Sequence, residues 1–396
     1  MPPIRFIHAA DLHLDAAFSG LSRDIPADFA ERLRTATFTA FRRLLDLCER
    51  ESPDFLLLAG DVYNQEDASV SAQLALRDGF RRLESLSIPV FLVHGNHDPL
   101  ASRLRSVRWP GNVTVFGELP DAVPVFRKGE GTPLAIIHGA SHASGRETRN
   151  LAALFRRTEA CGLHVGLLHA TPGDADGVAR YAPFSQGDLK ASGMDYWALG
   201  HIHDRREVCR EPLAAYPGCT QGLHINEPGE KGCLLVTAEA RPDGGYAVRT
   251  SFRPLGPAVW KTLDMDLGGA ASLDELENRL RTGLDRAAAE VWSGCEMLLV
   301  RLRLQGRTEL DGLLRKGTTC AELADRLRED GSGVPRIWIK DIDVATRPCV
   351  ERGALLERED LLGEVFRLSE AARTASGLQA LREGPLAPLF AHARTE

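Results

Sequence analysis

Short apolar runs alternate with segments of helical periodicity through residues 1–205, and this alternation limits the fold more than any other feature of the sequence. Residues 29–49 repeat apolar side chains at about 3.6-residue spacing after Pro26, and residues 71–86 and 148–160 follow the same pattern. The strand candidates between them are residues 4–10, 54–59, 89–94, 134–138, 164–169 and 196–199. Strand–helix–strand alternation predicts an α/β domain with largely parallel strand pairing.

Polar motifs directly follow five of these apolar runs. They are Asp11-Leu12-His13, Gly60-Asp61, Gly95-Asn96-His97-Asp98, His169 and Gly200-His201-Ile202-His203. Because ligand-binding groups gather at the carboxyl ends of strands in an open parallel sheet, we expect these side chains at one edge of one sheet. The glycines stand where the backbone must turn tightly or let a phosphate approach.

The chemistry of these side chains predicts a metal centre. Carboxylate, amide and imidazole groups without a thiolate suit Mn²⁺, Fe, Zn²⁺ or Mg²⁺. The set is too large for one tetrahedral site and fits two ions, the usual arrangement for hydrolysing a phosphoester. A carboxylate would bridge the ions, and a hydroxide between them would be the nucleophile, since a bound metal lowers the pKa of water to about 7.

The sequence pattern changes beyond residue 205. Strand candidates at 206–210, 233–238, 246–252 and 259–267 are separated by Pro and Gly turns, and we expect them to extend or cap the first sheet system. A smaller α/β unit follows: Ser272-x-x-Glu275 is typical of a helix N-terminus, and residues 297–304 and 337–344 resemble strands. The C-terminal residues are helical in pattern, with Gly and Pro breaks.

The ordered set D-x-H, G-D, G-N-H-D, His and G-H-x-H resembles the calcineurin-like metallophosphoesterases over about residues 4–205. Two further segments resemble the SbcD-type and YhaO-type DNA-repair nucleases: the opening from His8 to Asp15, and Tyr216-Pro217-Gly218 with Glu230-Lys231-Gly232 downstream. Cys219 stands where that group usually has Ser.

The resemblance implies a layered α/β/β/α sandwich with a smaller C-terminal α/β capping domain and a helical tail. We divide the chain accordingly into a nuclease domain (1–268), a capping domain (269–350) and a tail (351–396).

The resemblance also implies a role for each motif residue. Asp11, His13 and His203 would hold one metal, Asn96, His169 and His201 would hold the other, and Asp61 would bridge them. His97 would be a catalytic histidine that acts on the scissile phosphate or the leaving oxygen, and Asp98 would orient it. Asn64 lies three residues after Asp61, where some members have a second non-ligand histidine.

Arginines near the motifs are candidates for substrate contact. Arg103, Arg105 and Arg108 follow the Gly95–Asp98 motif and either touch a phosphate backbone or form a solvated helix face. Arg205 follows the last motif and leaves the same two alternatives open. The resemblance further implies a coiled-coil ATPase partner of the SbcC or YhaN type, docked on the C-terminal region, and a homodimer.

The balance of charge constrains how a polyanion could bind. With 48 basic and 55 acidic side chains, the net charge is −7, so bulk charge alone would not hold DNA. Two divalent ions, Mn²⁺ first among the candidates, would neutralise the scissile phosphate locally. We therefore expect a two-metal phosphodiesterase that cleaves DNA as an exonuclease or endonuclease in repair.

Two alternatives stay open. One is a phosphatase or small-molecule phosphodiesterase, and the other is a non-catalytic scaffold that binds DNA ends or an ATPase. No run approaches about 18 consecutive apolar residues, which argues against a membrane span, and the N-terminus does not resemble a signal peptide, so we expect a cytoplasmic location.

Overall fold

The computed structural model describes residues 2–21, 25–64, 69–102, 107–174, 179–242, 244–329, 333–349, 352–373, 375–384 and 387. Its strands are β1 (Ile4–Ala9), β2 (Phe55–Ala59), β3 (Val90–Val93), β4 (Val113–Val115), β5 (Asp121–Val125), β6 (Ala135–Ala140), β7 (Leu163–His169), β8 (Tyr196–Gly200), β9 (Arg206–Arg210), β10 (Leu213–Tyr216), β11 (Gly232–Ala240), β12 (Tyr246–Pro254), β13 (Ala258–Asp266), β14 (Met297–Gln305), β15 (Arg307–Thr308), β16 (Arg336–Val344) and β17 (Arg347–Pro348). Its α-helices are α1 (Ala27–Arg34), α2 (Ala36–Glu51), α3 (Val70–Ser85), α4 (Gln186–Ala191), α5 (Leu273–Glu290), α6 (Asp311–Leu314), α7 (Thr319–Glu329), α8 (Arg352–Leu356), α9 (Leu361–Ala372) and α10 (Ala375–Glu383).

Two six-stranded sheets form the main body. The first has the order β12-β11-β1-β2-β3-β4, and the second has the order β5-β6-β7-β8-β10-β9. Pairing is parallel from β1 to β4 and from β6 through β8 to β10, whereas β11, β12, β5 and β9 join antiparallel. The predicted α/β class is therefore confirmed, with antiparallel strands at the sheet margins.

Hydrophobic side chains build the layers. Phe6, Phe55 and Tyr196 lie in the core between the two sheets. On the outer face of the first sheet, α2 and α3 bury Phe41 and Phe80, so the predicted α/β/β/α sandwich is confirmed. This arrangement places the carboxyl ends of β1, β2 and β3 beside those of β7 and β8. The motifs thus meet at one edge of the sandwich, but they come from two sheets, so the expectation of a single sheet is wrong.

Two helix predictions are also wrong in detail. Residues 29–49 are not one helix, because α1 ends at Arg34 and α2 begins at Ala36. Residues 148–160 contain only a 3₁₀ turn, Ala152–Leu154, after which the backbone of Phe155 is extended. Phe155 instead packs on Trp197 of the second sheet, with ring centroids 4.8 Å apart.

The third sheet has the order β13-β14-β16 and is parallel throughout. Residues 259–267 were expected to extend or cap the first sheet system, and β13 does not extend it, because it belongs to this third sheet. Ser272 caps α5 by accepting a hydrogen bond from the Glu275 amide, as its motif predicted. Helix α5 packs its buried leucines on this sheet, and α8, α9 and α10 follow it. The division at residues 268/269 and 350/351 stays a prediction. Among the described residues, no helix is both long and apolar enough to cross a membrane.

Candidate metal centre

Backbone hydrogen bonds tie the motif loops of the two sheets together. The Asp11 and His13 amides donate to Gly60 O (3.1 Å) and Asp61 O (3.0 Å), which joins the loops after β1 and β2. The His201 amide, in the second sheet, donates to the Asp11 carboxylate (3.1 Å). The loops of both sheets therefore form one framework beneath the polar side chains.

Four motif residues occupy left-handed backbone conformations that non-glycine residues rarely adopt. The φ angles are 51° at Asp11, 40° at His13, 49° at Asp61 and 102° at His201. Such conformations cost of order 1–3 kcal/mol each, and they cluster at functional sites. This backbone strain marks the same loops that the sequence motifs marked.

Two motif glycines are required by close approach of side chains. A Cβ on Gly95 would collide with the Asp61 carboxylate, and a Cβ on Gly60, whose φ is +88°, would collide with the His169 ring. Only glycine lets these loops pass so near the polar cluster.

Asp11, His13 and His203 converge as the first group of donors. The Nε2 atoms of His13 and His203 lie 3.1 Å apart, and His203 Nε2 lies 3.9 Å from Asp11 Oδ1. Two nitrogens bound to one ion at about 2.0–2.1 Å would stand about 3.0–3.4 Å apart. The spacing of the two imidazoles therefore fits a shared cation.

Asn96, His169 and His201 form the second group. Asn96 Oδ1 lies 3.0 Å from His169 Nε2 and 3.1 Å from His201 Nδ1. Asp61, His169 and His201 also lie close enough together to share an ion. Each predicted ligand is thus brought to one of the two groups.

Asp61 lies between the groups and faces both. Its Oδ2 is 3.9 Å from His13 Nε2 in the first group and 3.3 Å from His169 Nε2 in the second. Its Oδ1 accepts a hydrogen bond from the His97 amide (2.9 Å). One carboxylate oxygen is therefore fixed by backbone, and the other is available to both groups.

The ring nitrogens that face away from the centre have oxygen partners. His13 Nδ1 donates to Asn64 Oδ1 (2.6 Å), His169 Nδ1 to Ala59 O (2.9 Å) and His201 Nε2 to Ala179 O (3.1 Å). His203 Nδ1 donates to Glu227 Oε1 (2.6 Å). These bonds fix the tautomers, so the unprotonated nitrogens of the neutral rings point inward. Lone pairs then converge on each group, an arrangement that requires positive charge between them.

The pKa shifts in the centre also indicate that positive charge is needed between the donor atoms. Burial raises the pKa of Asp11 to about 6 and lowers the pKa of His13 to about 4 and of His201 to about 3. Burial would also lower the pKa of His169, but the Asp61 charge outweighs it and raises that pKa to about 9. A proton on His169 supplies charge that a metal ion would supply instead. The donor set and its electrostatics fit a pair of divalent cations.

His97 is the exposed member of its motif. Its ring meets the His13 ring edge-on at 5.0 Å between centroids, and its side chain faces solvent above the cluster. This position suits a group that contacts a bound substrate.

The Asp98 carboxylate makes no hydrogen bond to the His97 ring, so the structure does not show the orienting role that we expected for it. The buried carboxylate accepts hydrogen bonds from the Gly95 amide (2.7 Å) and the Val62 amide (3.0 Å), and it faces His94 Nδ1 at 3.3 Å. Asp98 therefore holds the loops after β2 and β3 together.

Of the candidate arginines, Arg205 is exposed two residues beyond His203, and its guanidinium lies 4.1 Å from the Phe252 ring centroid. Arg103 and Arg105 lie outside the described residues.

Sequence reasoning missed two partners of the histidines. Asn64 was noted only as a departure from the family pattern, yet it orients His13. Glu227 carried no local signal, although it lies in the segment between Tyr216-Pro217-Gly218 and Glu230-Lys231-Gly232 that carried the resemblance. His8, at the start of the segment that runs to Asp15, belongs to neither donor group, because its ring nitrogens contact the Tyr196 hydroxyl and Leu199 O.

Two described families match this chain. The calcineurin-like phosphoesterase family matches residues 4–205, and the family described as metallophosphoesterase YhaO, middle domain, matches residues 260–347. A Bacillus subtilis (strain 168) protein, "Uncharacterized metallophosphoesterase YhaO", is 34% identical over 388 residues, which cover 97% of this chain and 91% of that protein.

More distant similarity extends to archaeal proteins. A "DNA double-strand break repair protein Mre11" from Aeropyrum pernix is 28% identical over 320 residues, covering 74% of this chain and 69% of that protein. Among solved structures, a dimetal phosphatase from Danio rerio matches 63% of this chain and 99% of its own at 13% identity, with a TM-score of 0.35.

Proposed function

The chain belongs to the calcineurin-like phosphoesterase family, and from that premise we propose that it is a two-metal phosphodiesterase that hydrolyses DNA. The observation that carries this proposal is the position of Asp61, whose Oδ2 faces His13 of one donor group and His169 of the other. A shared carboxylate between two donor groups is what a pair of ions requires.

In this proposal, Asp11, His13 and His203 hold one ion, Asn96, His169 and His201 hold the other, and Asp61 contacts both. Mn²⁺ is the metal that we propose, from a donor set of oxygen and imidazole groups that also suits Fe, Zn²⁺ or Mg²⁺. When bound, two such ions supply Lewis acidity toward the phosphate and an activated water.

The remaining residues act on the substrate or on the loops. His97, exposed beside His13, donates a proton or hydrogen bond to the scissile phosphate or the leaving oxygen. Asp98 acts through the backbone, since its hydrogen bonds to the Val62 and Gly95 amides keep the Asp61 and His97 loops in register.

DNA is the proposed substrate for two reasons. Relatives over most of the chain are named as proteins of DNA double-strand break repair. In addition, Arg205 presents an exposed guanidinium held against Phe252, close in sequence to His203, where it can contact a phosphate beside the scissile bond. DNA repair is accordingly the proposed process.

The tail is the proposed docking site for a coiled-coil ATPase subunit. Helix α9 exposes Leu361 (80%), Leu362, Val365 and Leu368. Apolar side chains at this spacing suit an amphipathic helix that packs on another helix. The homodimer and the cytoplasmic location stay predictions.

The test is cleavage of linear duplex DNA by purified protein in Mn²⁺, with Asp61→Asn and His97→Ala as variants. We expect cleavage by the wild type, its loss on chelation, and its loss or severe reduction in both variants. Bis(p-nitrophenyl) phosphate and a mononucleotide serve as small substrates in parallel.

Each contrary outcome identifies an alternative. Hydrolysis of the mononucleotide without cleavage of DNA would replace the nuclease with a phosphatase. DNA or ATPase binding without bound metal or hydrolysis would replace it with a scaffold. Equal cleavage by the wild type and both variants would refute the assigned centre.

A further inference from the structure

The four histidines of the metal centre differ in the partner of their outward nitrogen. His13, His169 and His201 donate to neutral oxygens, namely the Asn64 amide and the Ala59 and Ala179 carbonyls. His203 alone among them donates to a carboxylate, that of Glu227. The two donor groups are therefore electronically unequal.

Glu227 uses its two oxygens for two different donors. Oε1 accepts from His203 Nδ1 (2.6 Å), and Oε2 accepts from the Leu223 amide (2.7 Å). The Glu227 amide in turn donates to His224 O (2.8 Å). The carboxylate is thus anchored in its own turn and directed at the His203 ring.

The same segment holds the His203 backbone. Lys231, whose side chain is 5% exposed, donates from Nζ to His203 O (3.0 Å) and to Asp204 Oδ1 (2.9 Å). A Cβ on Gly218 would collide with His203 O. The chain from Gly218 to Lys231 therefore fixes both the backbone and the ring of His203.

A carboxylate behind an imidazole makes its inward nitrogen a stronger metal ligand, because it stabilises the positive charge that the ring acquires on binding. The first group also contains the Asp11 carboxylate, where the second contains the neutral Asn96 amide. The carboxylate behind His203 and the carboxylate of Asp11 both make the first group bind a cation more tightly than the second group does.

We propose that Glu227 is a positioning residue that makes the first group, Asp11, His13 and His203, the tighter of two metal sites. The sites then fill in sequence, the first before the second. This inference rests on the metal centre of the proposed function and does not depend on which phosphoester is the substrate.

The substitution Glu227→Gln tests the role of the second carboxylate oxygen. It has one acceptor oxygen for two donors, so it must lose either the Leu223 amide or the His203 ring. If its NH₂ faces His203 Nδ1, the ring must place its proton on Nε2, the nitrogen that faces the metal position. If the glutamine oxygen instead accepts from His203 Nδ1, the bond to the Leu223 amide is lost and the ring faces a neutral group. Glu227→Gln therefore weakens metal binding whichever of the two hydrogen bonds it keeps.

The experiment is calorimetric titration of metal-free full-length protein with Mn²⁺, which needs no catalytic readout. The wild type should bind in two steps, and Asn96→Ala should remove the weaker step. Glu227→Gln should weaken the tighter step about 10–100-fold and leave the weaker one within about twofold. Glu239→Gln, a similar change at a half-exposed position near the end of β11, is the matched control and should leave both steps unchanged.

Asn64→Asp is expected to strengthen Mn²⁺ binding, the opposite of the effect of Glu227→Gln. It therefore tests the inference even if Glu227→Gln does not fold. It places a carboxylate behind His13 with little change of shape, and the tighter step should become tighter still. A structural defect would not strengthen binding. Urea unfolding of the metal-free variants reports any loss of stability separately.

The outcomes separate this inference from the proposed function. Equal weakening of both steps, selective weakening of the weaker step, or no change in Glu227→Gln would overturn the inference and leave the metal centre in place. No tightening in Asn64→Asp would also overturn it. A wild-type protein that binds no divalent metal would overturn the metal centre itself.

Discussion

Replacing His8 with glutamine is expected to make the stability of the protein less dependent on pH. His8 is fully buried between the two sheets, where Nδ1 lies 2.9 Å from the Tyr196 hydroxyl and Nε2 lies 3.2 Å from Leu199 O. Burial lowers the pKa of His8 to about 3. A glutamine can offer an NH₂ to Leu199 O and an oxygen to Tyr196, but it does not titrate.

The sign follows from comparing the folded and unfolded states. The unfolded histidine titrates near pH 6.5 and the folded one near pH 3. The contribution of His8 to stability is therefore complete above the unfolded pKa and is lost as the pH falls toward 3. Between pH 7.5 and 5.5 the unfolded ring gains about 0.8 proton while the folded ring stays neutral, which lowers the free energy of unfolding by about 1.4 kcal/mol.

The assay is urea unfolding followed by tryptophan fluorescence at pH 7.5 and 5.5, with a chelator present in all samples. Other titrating groups contribute equally to wild type and His8→Gln, so they cancel in the comparison. We expect the loss of stability between the two pH values to be about 1.4 kcal/mol smaller in the variant. The same pH dependence in both proteins would show that the folded His8 is not held neutral, and would refute the reasoning.

Four further predictions concern the site. His97→Ala should reduce DNA cleavage about 10²–10⁴-fold while Mn²⁺ binding measured by calorimetry is unchanged; parallel loss of metal would make His97 a ligand instead. Arg205→Ala should weaken DNA binding and reduce the slope of the logarithm of the binding constant against the logarithm of salt concentration by about one. Arg210→Ala, at the far end of β9, is the control and should change neither quantity. Identical salt titrations for the two variants would refute the contact between Arg205 and DNA. Gly95→Ala should weaken both Mn²⁺-binding steps, because the added Cβ displaces the Asp61 carboxylate; unchanged calorimetry would contradict that geometry. Mn²⁺ at 100 times its dissociation constant should raise the free energy of unfolding by about 2.7 kcal/mol per site, and a thermal midpoint insensitive to chelator would argue against binding to the folded state.

Strands were easier to predict from sequence than the segments that cover them. A buried parallel strand such as β2 is a continuous apolar run, which the sequence displays directly. Residues 148–160 have helical periodicity, but Phe155 gains more by packing on Trp197, and Arg157 pairs with Asp195 (3.0 Å). Tertiary contacts therefore override the local preference.

The break between α1 and α2 has a similar cause. Phe29 and Leu33 of α1 pack against Trp260 and Trp338 of the third sheet, whereas Phe41 of α2 packs on the first sheet. A single straight helix could not pack on the third sheet and on the first sheet at the same time. The sequence did not indicate where the third sheet lies.

In the metal centre, local motifs predicted the ligand residues but not the residues that hydrogen-bond to them and to their loops. Asp11-x-His13 and His201-x-His203 are short patterns tied to strand ends, so their convergence followed from the fold. The contact between Glu227 and His203 joins residues distant in sequence, and Asp98 contacts His94 and two amides instead of its neighbour His97. Such contacts depend on the conformations of the loops in the folded protein, and the spacing of residues along the sequence does not predict these conformations.

Anomalous scattering from a crystal grown with Mn²⁺ tests the central claim most directly. Two peaks are expected, one among Asp11, His13 and His203 and the other among Asn96, His169 and His201, with the Asp61 carboxylate between them. A single peak that does not touch Asp61, or peaks elsewhere in the molecule, would contradict the two-metal centre.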